Sequence, residues 1–108
     1  DEFEIPSELE GESEGVRSPW DFGEAEPVKV KILFEKSESY RIMNNTHHKT
    51  EWKTKNYEGT INYQASVSSP ENMLPWILSF GRNAKIMSPQ WLADKAKMEA
   101  QEIAKRYL

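Results

Sequence analysis

The chain has 108 residues, of which 37% are hydrophobic and 11% aromatic, enough to bury one core but not two. It contains no cysteine, which excludes a disulfide framework, a cysteine zinc site and a thiol nucleophile, and its apolar runs are far shorter than the roughly 20 residues of a membrane span. The formal net charge of -4 is divided unevenly, because residues 1–26 sum to -9 and residues 27–108 to +5.

The acidic charge belongs to a segment that does not look folded. Residues 7–15 are polar, acidic and without hydrophobic periodicity, a composition typical of a linker. We therefore expect residues 1–26 to be an acidic linker and the folded body to span residues 27–108. The mildly basic body suits contact with anions as well as ordinary solvation.

The first half of the body predicts a strand, a helix and a hairpin. Residues 28–34 alternate between apolar and mostly polar side chains, as in a strand with one buried face. A short helix is expected over 37–44, capped by Ser37. Alternation over 49–55 and 60–67 predicts two more strands, and the short connection containing Gly59 is typical of a hairpin loop.

The second half predicts two helices around one strand. A strongly apolar helix is expected from about residue 72 to residue 80, with Pro75 in its first turn and Gly81 as its C-terminal stop. Residues 84–87 form a short fourth strand. Ser88 is then an N-cap and Pro89 the first helical residue of the last helix. The apolar stripe of that helix comprises Leu92, Ala96, Ile103 and Tyr107.

This order defines the fold class. It predicts an α+β protein, a ferredoxin-like βαββαβ sandwich with an antiparallel sheet and an additional C-terminal helix. Two helices would cover the sheet face that carries Phe34, Trp52 and Tyr63. The other face would be open, polar and basic; its residues are Lys29, Lys31, Leu33, Glu51, Lys53, Lys55, Asn62, Gln64, Ser66 and Lys85.

The residue inventory argues against catalysis. We find no pattern of nucleophile, base and orienting group, no metal-ligand spacing, and no glycine-rich phosphate loop. His47 and His48 are adjacent, and neighbours on extended backbone point to opposite sides, so they are not expected to chelate one metal. The prediction is a non-enzyme without a cofactor or a metal, in which these histidines have a solvent-facing or hydrogen-bonding role in a loop.

The basic residues leave two interpretations open. Because Phe34 and Tyr63 are expected under the helices, base stacking on the open face is disfavoured. Phosphate contact by lysines remains an alternative to a simply solvated face. The candidates for nucleic-acid or effector contact are Lys29, Lys31, Arg41, His47, His48, Lys53, Lys55 and Lys85. Trp76 is expected to be core rather than part of a ligand cage.

Several motifs occur in an order that resembles a known family. Residues 74–81 read Leu-Pro-Trp-Ile-Leu-Ser-Phe-Gly, followed by Ala-Lys-Ile-Met-Ser-Pro over 84–89 and Trp-Leu at 91–92. Upstream are Asp-Phe-Gly at 21–23 and Thr-His-His-Lys at 46–49. The set resembles the C-terminal extension (WCX) domain of WYL-domain bacterial transcriptional regulators, with Trp76, Gly81 and Pro89 as structural motif residues. Residues 3–6 are similar to the last strand of a preceding WYL domain.

The resemblance implies a role in regulation. Members are cytoplasmic regulators in which an N-terminal winged-helix domain binds DNA and a WYL domain senses an effector; neither domain lies in these residues. For this chain, the resemblance implies a non-catalytic regulatory and dimerisation domain. Such a domain would form a homodimer and assist sensing of a nucleic-acid or small-molecule effector. The alternative hypothesis is a nucleic-acid-binding module that contacts phosphates through the basic sheet face.

Overall fold

The computed structural model describes residues 18–22 and 25–108. Its strands are β1 (Val28–Phe34), β2 (Trp52–Lys55), β3 (Ile61–Val67) and β4 (Ala84–Ser88). Its α-helices are α1 (Ser39–Met43), α2 (Leu74–Leu78) and α3 (Gln90–Lys105). The predicted α+β class with an antiparallel sheet is confirmed. Within the described ranges, no helix is long and apolar enough to span a bilayer.

The four strands form one sheet in the order β2-β3-β1-β4. Every neighbouring pair is antiparallel, and the central pair aligns Val28 with Val67 and Phe34 with Ile61. A register irregularity between Lys31 and Ile32 interrupts the pairing of β1 with β4. The two edges of the sheet are therefore β2 and β4.

The core lies on one face of the sheet, beneath α1, α2 and the residues around Trp20. It is built from the inward side chains of β1 and β3, as their alternation predicts, and from Ile42, Met73, Ile77 and Phe80. Phe34 and Tyr63 are each no more than 1% exposed, so the expectation for these two rings is confirmed.

Gly59 and Pro75 have the predicted local roles, whereas α2 ends at Leu78, two residues before the predicted end beside Gly81. Gly59 has φ +102° in the β2–β3 loop, and Gly81 has φ +60° after α2, conformations that favour glycine. Pro75 lies in the first turn of α2, where its missing N–H has no intrahelical partner to lose.

Strand β2 has the opposite orientation to the one predicted. Trp52 pairs with Gln64 of the open face and is 57% exposed, whereas Lys53 pairs with buried Tyr63. Lys53 and Lys55 are therefore on the helix-covered side, and their assignment to the open face is wrong. Alternation predicted that successive side chains of β2 point to opposite faces of the sheet, but it did not predict which face each side chain takes. Lys53 points inward because it belongs to a buried polar network.

Helix α3 begins one residue later than predicted. Ser88 is the last residue of β4, and Pro89 has the extended backbone of an N-cap (ψ 157°), so Gln90 is the first helical residue. Leu92 is fully buried, but Ile103 and Tyr107 are 48% and 85% exposed. The C-terminal half of α3 is thus exposed along its whole predicted apolar stripe.

Part of the segment expected to be linker is packed on the body. Pro19–Asp21 forms a short 3-10 turn capped by the Ser18 hydroxyl, and Trp20 is 8% exposed within the core. Asn72 Nδ2 donates to the Pro19 carbonyl (2.8 Å), which attaches this turn to the 3-10 turn Pro70–Met73 that precedes α2. The resemblance of residues 3–6 to a strand and the linker composition of residues 7–15 lie outside the described residues.

Candidate functional site

The structure divides the eight candidate contact residues between two places. Lys29, Lys31 and Lys85 are exposed on the open face of the sheet. The remaining candidates, Arg41, His47, His48, Lys53 and Lys55, are on or beside the helix-covered side. The sequence therefore grouped residues that do not form one surface.

The open face combines positive charge with an exposed aromatic ring. A shallow cavity of about 340 Å³ is lined by Lys31, Trp52, Asn62, Gln64 and Met87 together with edges of Ile32 and Tyr63. Trp52 and Met87 are 57% and 52% exposed. The strand residues that face this side include three lysines and no carboxylate. Such a surface suits an anion that carries a planar ring.

Glu51 is the centre of a buried polar network on the other side of the sheet. Its Oε1 accepts hydrogen bonds from Tyr63 Oη (2.9 Å) and from the backbone N–H groups of His47 (2.9 Å) and His48 (3.2 Å). Its Oε2 lies 3.0 Å from Lys53 Nζ, and the Glu51 side chain is only 7% exposed. Four donors thus stabilise one buried carboxylate.

Lys53 connects this network to helix α1. Its Nζ donates to the carbonyls of Ile42 (3.0 Å) and Asn45 (2.8 Å), at and beyond the C-terminus of the helix. Terminal carbonyls lack intrahelical donors and carry partial negative charge, so an ammonium stabilises them. This requirement explains why Lys53 points inward and Trp52 outward.

His48 is held from both ring nitrogens. Nδ1 accepts from the Thr50 N–H (3.1 Å) and lies 2.8 Å from Thr50 Oγ1, while Nε2 lies 2.6 Å from Asp21 Oδ2. The acceptor role of Nδ1 assigns the ring proton to Nε2, which donates it to Asp21. Neither nitrogen is available for a ligand.

Just before β2 begins, the Thr50 side chain makes the hydrogen bonds to β3 that a paired backbone would otherwise make. Its hydroxyl donates to the Ser66 carbonyl (3.1 Å) and accepts from the Ser66 N–H (2.9 Å). The side chain therefore continues the β2–β3 pairing, which is why β2 begins at Trp52 although alternation predicts a strand from residue 49.

His47 packs against the aromatic cluster around Trp76. Its ring centroid is 4.9 Å from that of Trp76 and 6.1 Å from that of Tyr63. Trp76 also contacts Trp20 and Phe80, so its predicted place in the core is supported by its neighbours. Among the buried side-chain polar atoms described, His47 Nδ1 is without a hydrogen-bond partner; Glu51 Oε1 is 3.4 Å away.

The pKa values of this region follow from burial and pairing. Burial raises the pKa of Glu51, but Lys53, the His47 N–H and Tyr63 lower it by a larger amount, so the net pKa is below its usual 4.5. For Asp21, burial is likewise outweighed by His48 and by the Ser68 N–H, so the pKa is below 3.8. Burial lowers the pKa of His47, and Glu51 opposes this only in part. Burial and the bond to Glu51 raise the pKa of Tyr63.

Arg41 and Lys55 are outside both the network and the open face. The Arg41 guanidinium lies 4.7 Å from the centroid of the Phe80 ring and 3.4 Å from Glu38. Lys55 is exposed beside α1, where it lines a shallow depression with Lys36 and Tyr40. In the described part of the chain, no three histidine, aspartate or glutamate side chains are close enough to hold a metal ion together.

Sequence reasoning missed the residues that organise the site. Asp21 was assigned to a linker, and Glu51 was assigned to solvent. The available signal was the opposite charge of Glu51 and Lys53, which lie two residues apart and so on one side of an extended chain. For Asp21 the signal was the Ser18-Pro19 pair before it, which is typical of a capped helical turn.

The fold and the site together define a small α+β domain with a closed polar network on one side of its sheet and an open basic surface on the other. The family described as WCX domain matches residues 26–104, which is more than half of the chain. The chain therefore belongs to the WCX domain family. The suspected resemblance is thereby confirmed. No curated protein matches the chain.

Proposed function

We propose that this WCX domain is a non-catalytic regulatory and dimerisation module of a WYL-type bacterial transcriptional regulator that acts in the cytoplasm. Family membership supports the regulatory context. In this proposal, DNA is bound by a winged-helix domain and an effector by a WYL domain, both elsewhere in the polypeptide. The WCX domain pairs two copies and assists effector sensing.

The ferredoxin-like topology is part of the proposal. The order β2-β3-β1-β4, with every neighbouring pair antiparallel, makes β1 and β2 parallel with β3 between them. This order supports a split βαβ unit with α1 as the crossover. The helix α3 is then the addition after the last strand.

A non-catalytic role is supported by how the ionisable groups are used. Both ring nitrogens of His48 have partners, and the Glu51 carboxylate accepts from four donors. A catalytic base must have a lone pair directed at a substrate, and a pKa near the working pH. The pKa of Glu51 is lowered and that of Tyr63 raised, both away from neutrality. The network supports α1 and the turn at Trp20 instead.

Light scattering over a concentration series tests the dimer. The observation that carries the proposal is the exposed apolar surface at the C-terminal end of α3, where Ile103 and, just after the helix, Tyr107 are 48% and 85% exposed. We expect the mass to rise from that of one 12.6 kDa chain towards twice that value. A constant monomer mass up to roughly 1 mM would refute the dimer.

A second function is favoured by the position of Trp52. Its exposed ring and the nearby Lys31 would allow a single-stranded nucleic acid to stack a base and place a phosphate on the open face. Lys29 and Lys85 add charge on the same face. Binding of this kind would combine base stacking with the phosphate contact that the sequence leaves open.

Binding of a labelled single-stranded oligonucleotide, measured by fluorescence anisotropy, tests this second function. With three lysines at the phosphates, the logarithm of affinity should fall with the logarithm of salt with a slope of about -2. Trp52→Ala should weaken binding by about 1–3 kcal/mol, whereas Trp91→Ala, which removes an exposed ring of α3, should not. Unchanged affinity after Lys29→Glu and Lys31→Glu would exclude the sheet face.

A further inference from the structure

The C-terminal half of α3 carries a row of side chains that the described protein leaves uncovered. Ala93, Ala96, Ala100 and Ile103 follow one another at spacings of three and four residues and therefore share one side of α3, and Tyr107 follows in the turn that ends the helix. Only the first part of this row packs on the domain, through Ala93 and Ala96. Beyond it, every residue from 97 to 108 is exposed.

A groove lies beside the same row. It has a volume of about 300 Å³ and is mostly apolar, with walls from the end of α2, the edge strand β4 and the first half of α3. One chain thus presents both an apolar recess and large apolar side chains that project away from it.

We infer that α3 is the dimer contact, in which two copies of this chain pair their α3 helices antiparallel about a two-fold axis beside Ala100. This inference rests on the dimerisation proposed above and adds the surface that performs it. Residues equally distant from Ala100 then face each other, so Tyr107 of one copy lies beside Ala93 of the other, and Ala104 lies beside Ala96. The projecting half of each helix fills the groove of the second copy.

The distribution of side-chain size favours the antiparallel direction. Small residues, Ala93 and Ala96, occupy the start of the row, and larger ones, Ile103 and Tyr107, occupy its end. Antiparallel pairing places large against small, as close packing requires. Parallel pairing would place Tyr107 against Tyr107, and it would force the two domain bodies together at the start of the helices.

The area available is sufficient for a weak, specific dimer. Residues 93–105 of α3 extend about 18 Å along the helix axis. Tyr107 alone offers roughly 200 Å², and with Ile103 and the groove walls each copy would bury on the order of 500 Å². The total of roughly 1,000 Å² meets the lower bound for a specific interface and is in the range of weak, transient complexes.

Charge reversal at the two-fold axis tests the inference. Ala100→Glu places two carboxylates opposite each other, and Ala100→Lys places two ammonium groups there, so each variant alone should dimerise roughly 10-fold or more weakly than wild type. An equimolar mixture should recover the wild-type dimer, because unlike charges then meet. Ala100 is exposed, so both variants should fold, which circular dichroism verifies.

Met98 provides the matched control. It is 64% exposed on the opposite side of α3, so Met98→Glu and Met98→Lys introduce the same charges away from the proposed contact. Sedimentation velocity should show wild-type association for both. A wild-type dimer that Ala100→Glu and Ala100→Lys leave unchanged overturns the α3 contact but not dimerisation, whereas a wild-type monomer at all concentrations overturns both.

Discussion

Replacing Glu51 with Gln removes the charge at the centre of the buried network and changes little else. The variant keeps one side-chain oxygen for Tyr63 or a backbone N–H, but it leaves Lys53, which is 16% exposed, without its carboxylate partner at 3.0 Å. Breaking a buried ion pair costs about 3–5 kcal/mol. Because Lys53 retains two carbonyl acceptors, we expect the low end, about 3 kcal/mol.

Urea and thermal unfolding, followed by tryptophan fluorescence, measure this loss. A destabilisation of about 3 kcal/mol corresponds to a fall of roughly 15 °C in Tm for a domain of this size. Glu99→Gln, at an exposed carboxylate of α3, is the control and should change stability by no more than about 0.5 kcal/mol. The double variant Glu51→Gln, Lys53→Met should recover part of the loss. If Glu51→Gln were no less stable than Glu99→Gln, the network would not stabilise the fold.

Two other substitutions test the turn at Trp20 and the partly buried ring of His47. Trp20→Ala should reduce the free energy of unfolding by about 3 kcal/mol, and Trp91→Ala by less than about 1 kcal/mol, when both are measured by urea unfolding; equal losses would mean that the turn is not part of the core. The pKa of His47 is below 6.5 in the folded protein. As the pH falls, the unfolded chain therefore binds a proton at His47 before the folded protein does. The stability that is present above about pH 6.5 is lost as the pH falls towards the pKa of the folded protein. Urea midpoints from about pH 7.5 to about pH 5.5 should therefore fall more steeply for wild type than for His47→Gln, and parallel profiles would refute this assignment.

The strands and turns of the central fold were predictable from local patterns. Strands β1 and β3 alternate between apolar and polar side chains, with Leu33 as the exception in β1, because each lies between two neighbours and buries one face. Gly59 and Gly81 occupy backbone conformations with positive φ, for which glycine is the expected residue. In these elements local propensity and tertiary packing agree.

The orientation of β2 was not predictable from alternation alone. An edge strand has a neighbour on one side only, and either of its faces can be polar. Hydrophobicity assigned Trp52 to the core, but the carbonyls at the end of α1 required a donor, and Lys53 supplies it. That requirement depends on a contact between residues distant in sequence, so a periodic pattern does not contain it.

The same limitation applies to Asp21 and His48. Their side chains are 27 positions apart in sequence and meet at 2.6 Å, with Trp20 stacked on the His48 ring at 5.9 Å. Composition placed Asp21 in an acidic linker, because most of its neighbours are acidic or polar. Only the three-dimensional fold shows that residues 18–22 are attached to the body.

Isotope-filtered nuclear Overhauser measurements detect whether two copies of this chain bind each other. A mixture of 13C-labelled and unlabelled chains reports only contacts between copies. We expect dimerisation to give cross-peaks between the Tyr107 ring protons of one copy and the Ala93 methyl group of the other. An empty filtered spectrum at a concentration of roughly 1 mM would contradict it.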